Sequence, residues 1–295
     1  MVRREWLRRP GGERLELFTA APAPGAAREG APTLVLVHGI CCGAWIWAER
    51  MMGDLAARGY SSHAVSLRGH GESDGSDDVA RFGVEDFMDD LDLTVKAIDG
   101  PVVLVGHSAG GMVVQKALQR YARLGQRPVG SALIASIPPS GLGPLNARLS
   151  LTDPFFFSRV GMVLAGGGDA SEAYAVVRDM LFTKDAPDEL VARAFSRWLP
   201  ESPRLLTDLT AAPRTIWARR DVGELMVMGF GQDQLIDRTA VMETAYFYSA
   251  PSLTLTKAAH AAIMEDTADL IAEALTDWVD RLITGDDRPL SAANL

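Results

Sequence analysis

The stretch Val102-Val-Leu-Val105-Gly106-His107-Ser108-Ala109-Gly110-Gly111-Met112 decides how the chain is read. Val102 to Val105 is an unbroken apolar run of strand length, as expected where a sheet is covered on both faces. A helix is predicted from about Ala109 to Leu124. Between strand and helix, two glycines bracket Ser108. A serine on so sharp a turn needs small neighbours for the chain to reverse. It is then held clear of the sheet, at a helix N-terminus whose dipole favours developing negative charge. Ser108 is the candidate nucleophile; the alternative is a glycine-bracketed turn carrying an idle serine.

Working outward, strands and helices alternate. Glu5 to Leu7 and Arg14 to Thr19 flank Pro10-Gly11-Gly12 and read as an antiparallel hairpin. Ala20 to Pro32 is a surface connection rich in Ala, Pro and Gly. Thr33 to Val37 is a second apolar strand, followed by a predicted helix from Ala44 to Arg58 that stops at Gly59. A strand near Ser61 to Leu67 leads into the Gly-rich loop Arg68 to Gly75. A helix over Val84 to Ile98, the central stretch, and a strand near Val129 to Ile137 follow. This rhythm predicts an α/β fold with a mostly parallel, doubly wound sheet.

From Pro138 the rhythm breaks. Residues 138–223 read as an inserted helical cap, with an apolar cluster Phe155-Phe156-Phe157 and the turn Gly166-Gly-Gly168. The core is then 1–137 and 224–295. It resumes with strands Leu225 to Met228 and Ser252 to Thr256 and closes on a helix from Thr267 to Ile283.

Bulk composition narrows the function classes. With 47% hydrophobic residues in 295, a sizeable core is expected and global disorder is excluded. A formal net charge of −9 with scattered cations offers nothing to polyphosphate, so no nucleic-acid partner is expected. The four arginines before Pro10 precede no apolar stretch of the secretory kind, and no run approaches the roughly 20 apolar residues of a membrane span. The expectation is a soluble, cytoplasmic protein. Cys41 and Cys42 are adjacent, cannot tie distant segments together, and read as small apolar side chains in a loop. No Cys/His/Asp cluster has zinc spacing, so neither metal nor cofactor is expected. Asp77-Asp78 and Asp89-Asp90 read as solvated charges.

A serine hydroxyl needs a base to take its proton. Of five histidines, His38 ends a strand, His63 lies in or beside one, His70 sits in the Gly-rich loop, and His107 adjoins the serine and is expected to point elsewhere. His260 follows the last predicted strand, at the same sheet edge as Ser108, and is the candidate base. Asp233 lies just past the strand Leu225 to Met228 and is favoured on placement as the carboxylate that orients it, with Asp237 the competitor. Two backbone donors for an oxyanion are expected at Ala109 and Ile40. Phe155, Phe156, Met162 and Trp198, with His107, are candidates for the substrate pocket, although apolar cap residues can equally serve to dock the cap.

These motifs together, with His38-Gly39, Arg68-Gly-His-Gly-Glu-Ser73, Ser108, Asp233 and His260 in that order, resemble the α/β-hydrolase superfamily, over about Thr33 to Ile283. The segment from His38 through Trp45 to Trp47 is similar to that of methylesterases and hydroxynitrile lyases, and Gly-His-Gly-x-Ser to that of monoacylglycerol-lipase-like esterases. Relatives with Asp at the elbow are dehalogenases and epoxide hydrolases, from which Ser108 departs. The strand before Asp233 lacks the proline that often introduces it. The resemblance implies a serine hydrolase for a small-molecule, apolar carboxylic ester, thioester or lactone, working through an acyl-enzyme. A lyase or acyltransferase on the same fold, or a ligand-binding receptor with a slow triad, are the alternatives.

Overall fold

The computed structural model describes residues 1–152, 155, 161, 169–210 and 222–286. Eight strands form one sheet: β1 (Val2–Arg8), β2 (Arg14–Ala20), β3 (Thr33–Val37), β4 (Ser62–Val65), β5 (Val102–His107), β6 (Gly130–Ile134), β7 (Leu225–Phe230) and β8 (Ser252–Leu255). Their spatial order is β1-β2-β4-β3-β5-β6-β7-β8. The β1–β2 hairpin and the β2–β4 pair are antiparallel; every other pair is parallel.

The apolar runs read from the sequence are buried on both faces, as crossover helices require. In β3, Leu34 and Leu36 join one core cluster while Val35 and Val37 join the other. In β5, Val103 and Val105 divide from Val102 and Leu104 in the same way. The first cluster packs the sheet against α1 (Trp45–Ala48), α2 (Met51–Ala57) and the C-terminal helix α10 (Ala268–Thr284). The second packs it against α3 (Val84–Lys96), α4 (Ala109–Leu124) and α9 (Arg238–Tyr248). Each buried Leu or Val contributes about 1.5–3 kcal/mol.

The predicted helix from Ala44 to Arg58 is in fact two. Arg50, at φ −148°, breaks it between α1 and α2. Trp45, Ile46 and Trp47 all lie in α1, ahead of the break, and all three are buried. Helix α9 was not read from the sequence; it lies between β7 and β8. Between β6 and β7 the described helices are α5 (Leu142–Thr152), α6 (Ala170–Leu181), α7 (Asp188–Phe195) and α8 (Pro203–Thr210). Gly166 to Gly168 and Phe157 lie outside the described residues.

The chain winds from β3 outward to β4, then returns past β3 to β5. The C-terminal ends of β3 and β5 therefore flank a topological switch point, where open α/β sheets form their crevice.

Candidate active site

At the end of β5 the backbone reverses at Ser108, which adopts φ +55° and ψ −121°. A non-glycine residue there stores strain of about 1–3 kcal/mol and needs its surroundings to hold it. The Ser108 amide donates to the Ile134 carbonyl at 3.0 Å, and its own carbonyl accepts from Gly111 at 3.0 Å and Ile137 at 3.2 Å. The flanking glycines are steric necessities. A Cβ on Gly106 would lie 2.5 Å from the Gly110 oxygen, and one on Gly110 would lie 2.4 Å from the carbonyl oxygens of both Val37 and His38. Helix α4 thus starts pressed against the end of β3.

Loops after β7 and β8 bring two further side chains to this edge. The loops are tied together by the Gly231 amide on the Leu255 carbonyl (2.8 Å) and the Gln232 amide on the Ala258 carbonyl (2.9 Å). Asp233 Oδ1 accepts from the amides of Leu235 (2.8 Å) and Ile236 (2.9 Å), which fixes the carboxylate. Its Oδ2 then faces His260 Nδ1 at 2.7 Å. With Nδ1 donating, His260 Nε2 is the acceptor for the Ser108 hydroxyl, 3.0 Å away. All three residues are buried. Asp237 does other work: its Oδ1 caps α9 by accepting from the Ala240 amide at 3.0 Å.

The loop after β3 closes the opposite side. Gly39 sits so near the elbow that a Cβ on it would lie 3.0 Å from Ser108 Cβ. His38 Nδ1 donates to the Gly39 carbonyl at 2.7 Å, while its Nε2 accepts the Leu67 amide at 3.0 Å. Burial, followed by the nearby positive His70, pushes the His38 pKa down to about 3, so it stays neutral in this role. Cys42 Sγ also donates to the Gly39 oxygen, at 3.3 Å. A trans peptide directs its N–H opposite to its C=O, so gripping the Gly39 oxygen aims the Ile40 amide the other way. Neither the Ile40 nor the Ala109 amide donates to any acceptor among the described residues. Cys41 and Cys42 are free and buried, and burial raises both thiols well out of the reactive range.

His107, expected to point elsewhere, is engaged at the site. Its Nε2 donates to the His260 carbonyl at 2.9 Å, and burial lowers its pKa to about 3.

Above Ser108 lies a cavity of about 310 Å³. Ile40, Trp45, Val177, Met180, Trp198 and Leu209 are among its walls, and no Lys, Arg, Asp or Glu lines it among the described residues. Trp198 and His107 therefore border the cavity. Phe155 does not: it is 72% exposed in a turn and belongs to the outer surface. Phe156 and Met162 lie outside the described residues.

Sequence reading missed several buried charges, among them Asp90, His70 and Glu201. Asp90, read as solvated, is buried and takes Arg68 in a bidentate grip, with Nη2 to Oδ1 at 2.7 Å and Nε to Oδ2 at 3.0 Å. An amphipathic reading of α3 cannot see that its partner comes from the Gly-rich loop. Asp89 is exposed and pairs with Arg120, as a solvated charge would. The other two charges, His70 and Glu201, pair at 3.1 Å. Among the described residues no group of three His, Cys, Asp or Glu could hold a metal, and no helix is long and apolar enough to cross a membrane.

Residues 34–274 match the alpha/beta hydrolase family, and the chain belongs to it. A curated relative, Esterase PIR7B of Oryza sativa subsp. japonica, is 37% identical over 91 residues, 30% of this chain. The match spans only 33% of that relative's length. A thermophilic esterase from Thermogutta terrifontis, solved with malate bound, superposes with a TM-score of 0.68 at 17% identity, covering 95% of this chain and 99% of that one. A loop variant of a haloalkane dehalogenase from Bradyrhizobium elkanii superposes equally well, with a TM-score of 0.69 at 16% identity over 97% and 98% of the two chains. At such identities the likeness is one of fold, and chemistry is decided by the side chains at the site.

Proposed function

We propose that the protein is a serine hydrolase that cleaves a neutral carboxylic ester, or a thioester or lactone, with an apolar acyl or alcohol group. Ser108 attacks the carbonyl carbon. His260 takes the hydroxyl proton through Nε2 and returns it to the leaving group, and Asp233 holds the imidazole and stabilises its cation. The amides of Ile40 and Ala109 receive the oxyanion, the larger electrostatic contribution in acyl transfer. Water then attacks the acyl-enzyme by the same route in reverse.

The observation that carries this reading is the continuous line of short bonds from Ser108 Oγ to His260 Nε2 (3.0 Å) and from His260 Nδ1 to Asp233 Oδ2 (2.7 Å), opening on a cavity that no Lys, Arg, Asp or Glu lines among the described residues. A serine also distinguishes this elbow from an aspartate-based dehalogenase. Residues 138–223 act as a cap: Val177, Met180, Trp198 and Leu209 come from this segment and wall the cavity. Among the described residues a carboxylate- or ammonium-bearing substrate would find no counter-charge in the cavity, at a cost of several kcal/mol.

The test is a series of p-nitrophenyl esters of increasing acyl length, with Ser108→Ala as blank. Turnover is expected for uncharged aliphatic esters, little for a succinyl half-ester, and none with the alanine variant. Undiminished turnover by Ser108→Ala would end the assignment.

A further inference from the structure

The loop that carries Ile40 is held by the segment between β6 and β7 rather than by the sheet alone. Three successive peptides are gripped. The Gly39 oxygen is taken by His38 and Cys42, as described above. The next amide, that of Cys41, donates to Glu201 Oε2 at 2.8 Å. The Cys41 carbonyl in turn accepts the Leu199 amide at 3.0 Å. Cys41 itself sits at φ +61°, a conformation an L-residue with a side chain keeps only under constraint. Glu201 and Leu199 supply that constraint, one on each side of residue 41.

The chemistry of the Glu201 pocket calls for a carboxylate. Its Oε2 also takes His70 Nε2 at 3.1 Å, and its Oε1 takes the Ser202 amide at 2.7 Å. The other His70 nitrogen, Nδ1, faces the Arg68 carbonyl at 3.1 Å. With a carbonyl at one nitrogen and a carboxylate at the other, His70 carries both protons and is cationic. Every partner of Glu201 is therefore a donor. Asp90 beneath the Gly-rich loop, neutral His38 with its ring 5.2 Å from His70, and the two protonated thiols complete the surroundings. Both members of the pair are buried, so neither is a solvated surface charge.

We propose that Glu201, charge-balanced by His70, is a positioning residue that holds the Ile40 amide in the oxyanion-binding orientation by fixing Cys41 from the cap side. The consequence is that acyl transfer in this protein depends on a carboxylate that touches neither substrate nor Ser108. A cap segment shifted off this anchor would release Cys41 and with it the oxyanion donor. The inference rests on the reading of Ile40 as an oxyanion donor.

Glu201→Gln in the full-length chain tests it. A glutamine must point an amide hydrogen at one of three donors and also removes the charge that balances His70, so the anchor on Cys41 is weakened while side-chain volume is kept. With p-nitrophenyl butyrate, kcat is expected to fall about 10- to 100-fold, short of the full loss of an oxyanion donor, with KM within about twofold. The diagnostic readout is inhibition by an aliphatic trifluoromethyl ketone, which forms an oxyanion on a serine, against its methyl ketone counterpart. The fluoroketone should weaken by the same factor as kcat/KM and the methyl ketone should be unchanged. If both ketones weaken equally, or if kcat stays at the parental level, the inference is overturned. Should Glu201→Gln not fold, as judged by circular dichroism, Glu201→Asp is assayed in the same way; it draws the carboxylate back from Cys41, and unchanged kcat there also overturns the inference. Ser108→Ala separates the two levels. Activity surviving in that variant removes the underlying assignment, whereas a dead Ser108→Ala beside a fully active Glu201→Gln removes only the role of Glu201.

Discussion

His107 and His260 are bonded through backbone rather than ring to ring: His107 Nε2 donates to the His260 carbonyl at 2.9 Å, and the two rings lie 4.8 Å apart, tilted by 48°. The residue beside Ser108 thus steadies the main chain of His260. Replacing His107 with Leu removes a bond of about 1 kcal/mol, so kcat should drop by roughly fivefold. His107→Gln, which keeps a donor near the same place, should recover most of that loss. Equal kcat in the two variants, measured on one ester, would dismiss the bond as a contributor.

Asp233 and Asp237 lie four residues apart and have different partners, and under the proposed mechanism this separates catalysis from stability. Asp233→Asn leaves the Leu235 and Ile236 amides satisfied but presents the wrong group to His260 Nδ1. By analogy with triads of this type, kcat should fall by about 10⁴. Asp237→Ala removes the cap of α9 and should cost about 1 kcal/mol of stability with kcat intact. A urea titration and a kcat measurement on each variant decide it; the reverse pattern would exchange their roles.

Gly110 meets the carbonyls of Val37 and His38 where any Cβ would lie 2.4 Å from each oxygen. Backbone cannot yield as a flexible side chain can. Gly110→Ala should therefore cost about 3 kcal/mol or more and lower the melting temperature by roughly 5 °C or more. A shift within about 1 °C would mean that α4 does not start against the end of β3.

Acid stability follows from two buried neutral histidines. His38 and His107 titrate near 6.5 when unfolded and are held down to about 3 in the fold. Between those values the unfolded chain binds more protons, so their contribution is complete above about pH 6.5 and is lost as pH falls toward 3. Each adds about 1.4 kcal/mol per pH unit to the slope inside that window. His70 is raised by Glu201 and works in the opposite sense, losing its contribution as pH rises through its own elevated value. The urea midpoint of the parent protein between pH 6 and pH 4 should fall more steeply than that of His107→Gln. Parallel curves for the two would contradict the buried, neutral state of His107.

The centre of the sheet was legible because β3 and the start of β5 are apolar on both faces and therefore unbroken in sequence. β3 and β5 were read to within two residues for that reason, and the turn at Ser108 because only small residues fit around it. Asp233 and His260 could be placed because each follows a strand at the one edge where Ser108 emerges. Other features depend on distant partners and leave no local pattern. Asp90 looks like a surface charge until Arg68 is brought to it from 22 residues away. Glu201 follows Pro200 in a stretch without motif, and its partners His70 and Cys41 lie 131 and 160 residues earlier. The break at Arg50 carries no glycine or proline, so nothing in the local sequence marks it.

The two cysteines are the only ones in the chain, and both side chains are buried within the loop at residues 39–42. A maleimide dye offered to the folded protein should find nothing to react with, so the native sequence is already a silent background for labelling. A single thiol introduced on the outward side of α7, by Glu189→Cys, should then take up one dye per chain and report through its fluorescence when a ligand fills the cavity. Stoichiometric labelling of the unmutated protein would show instead that this corner of the molecule opens to reagents the size of a dye.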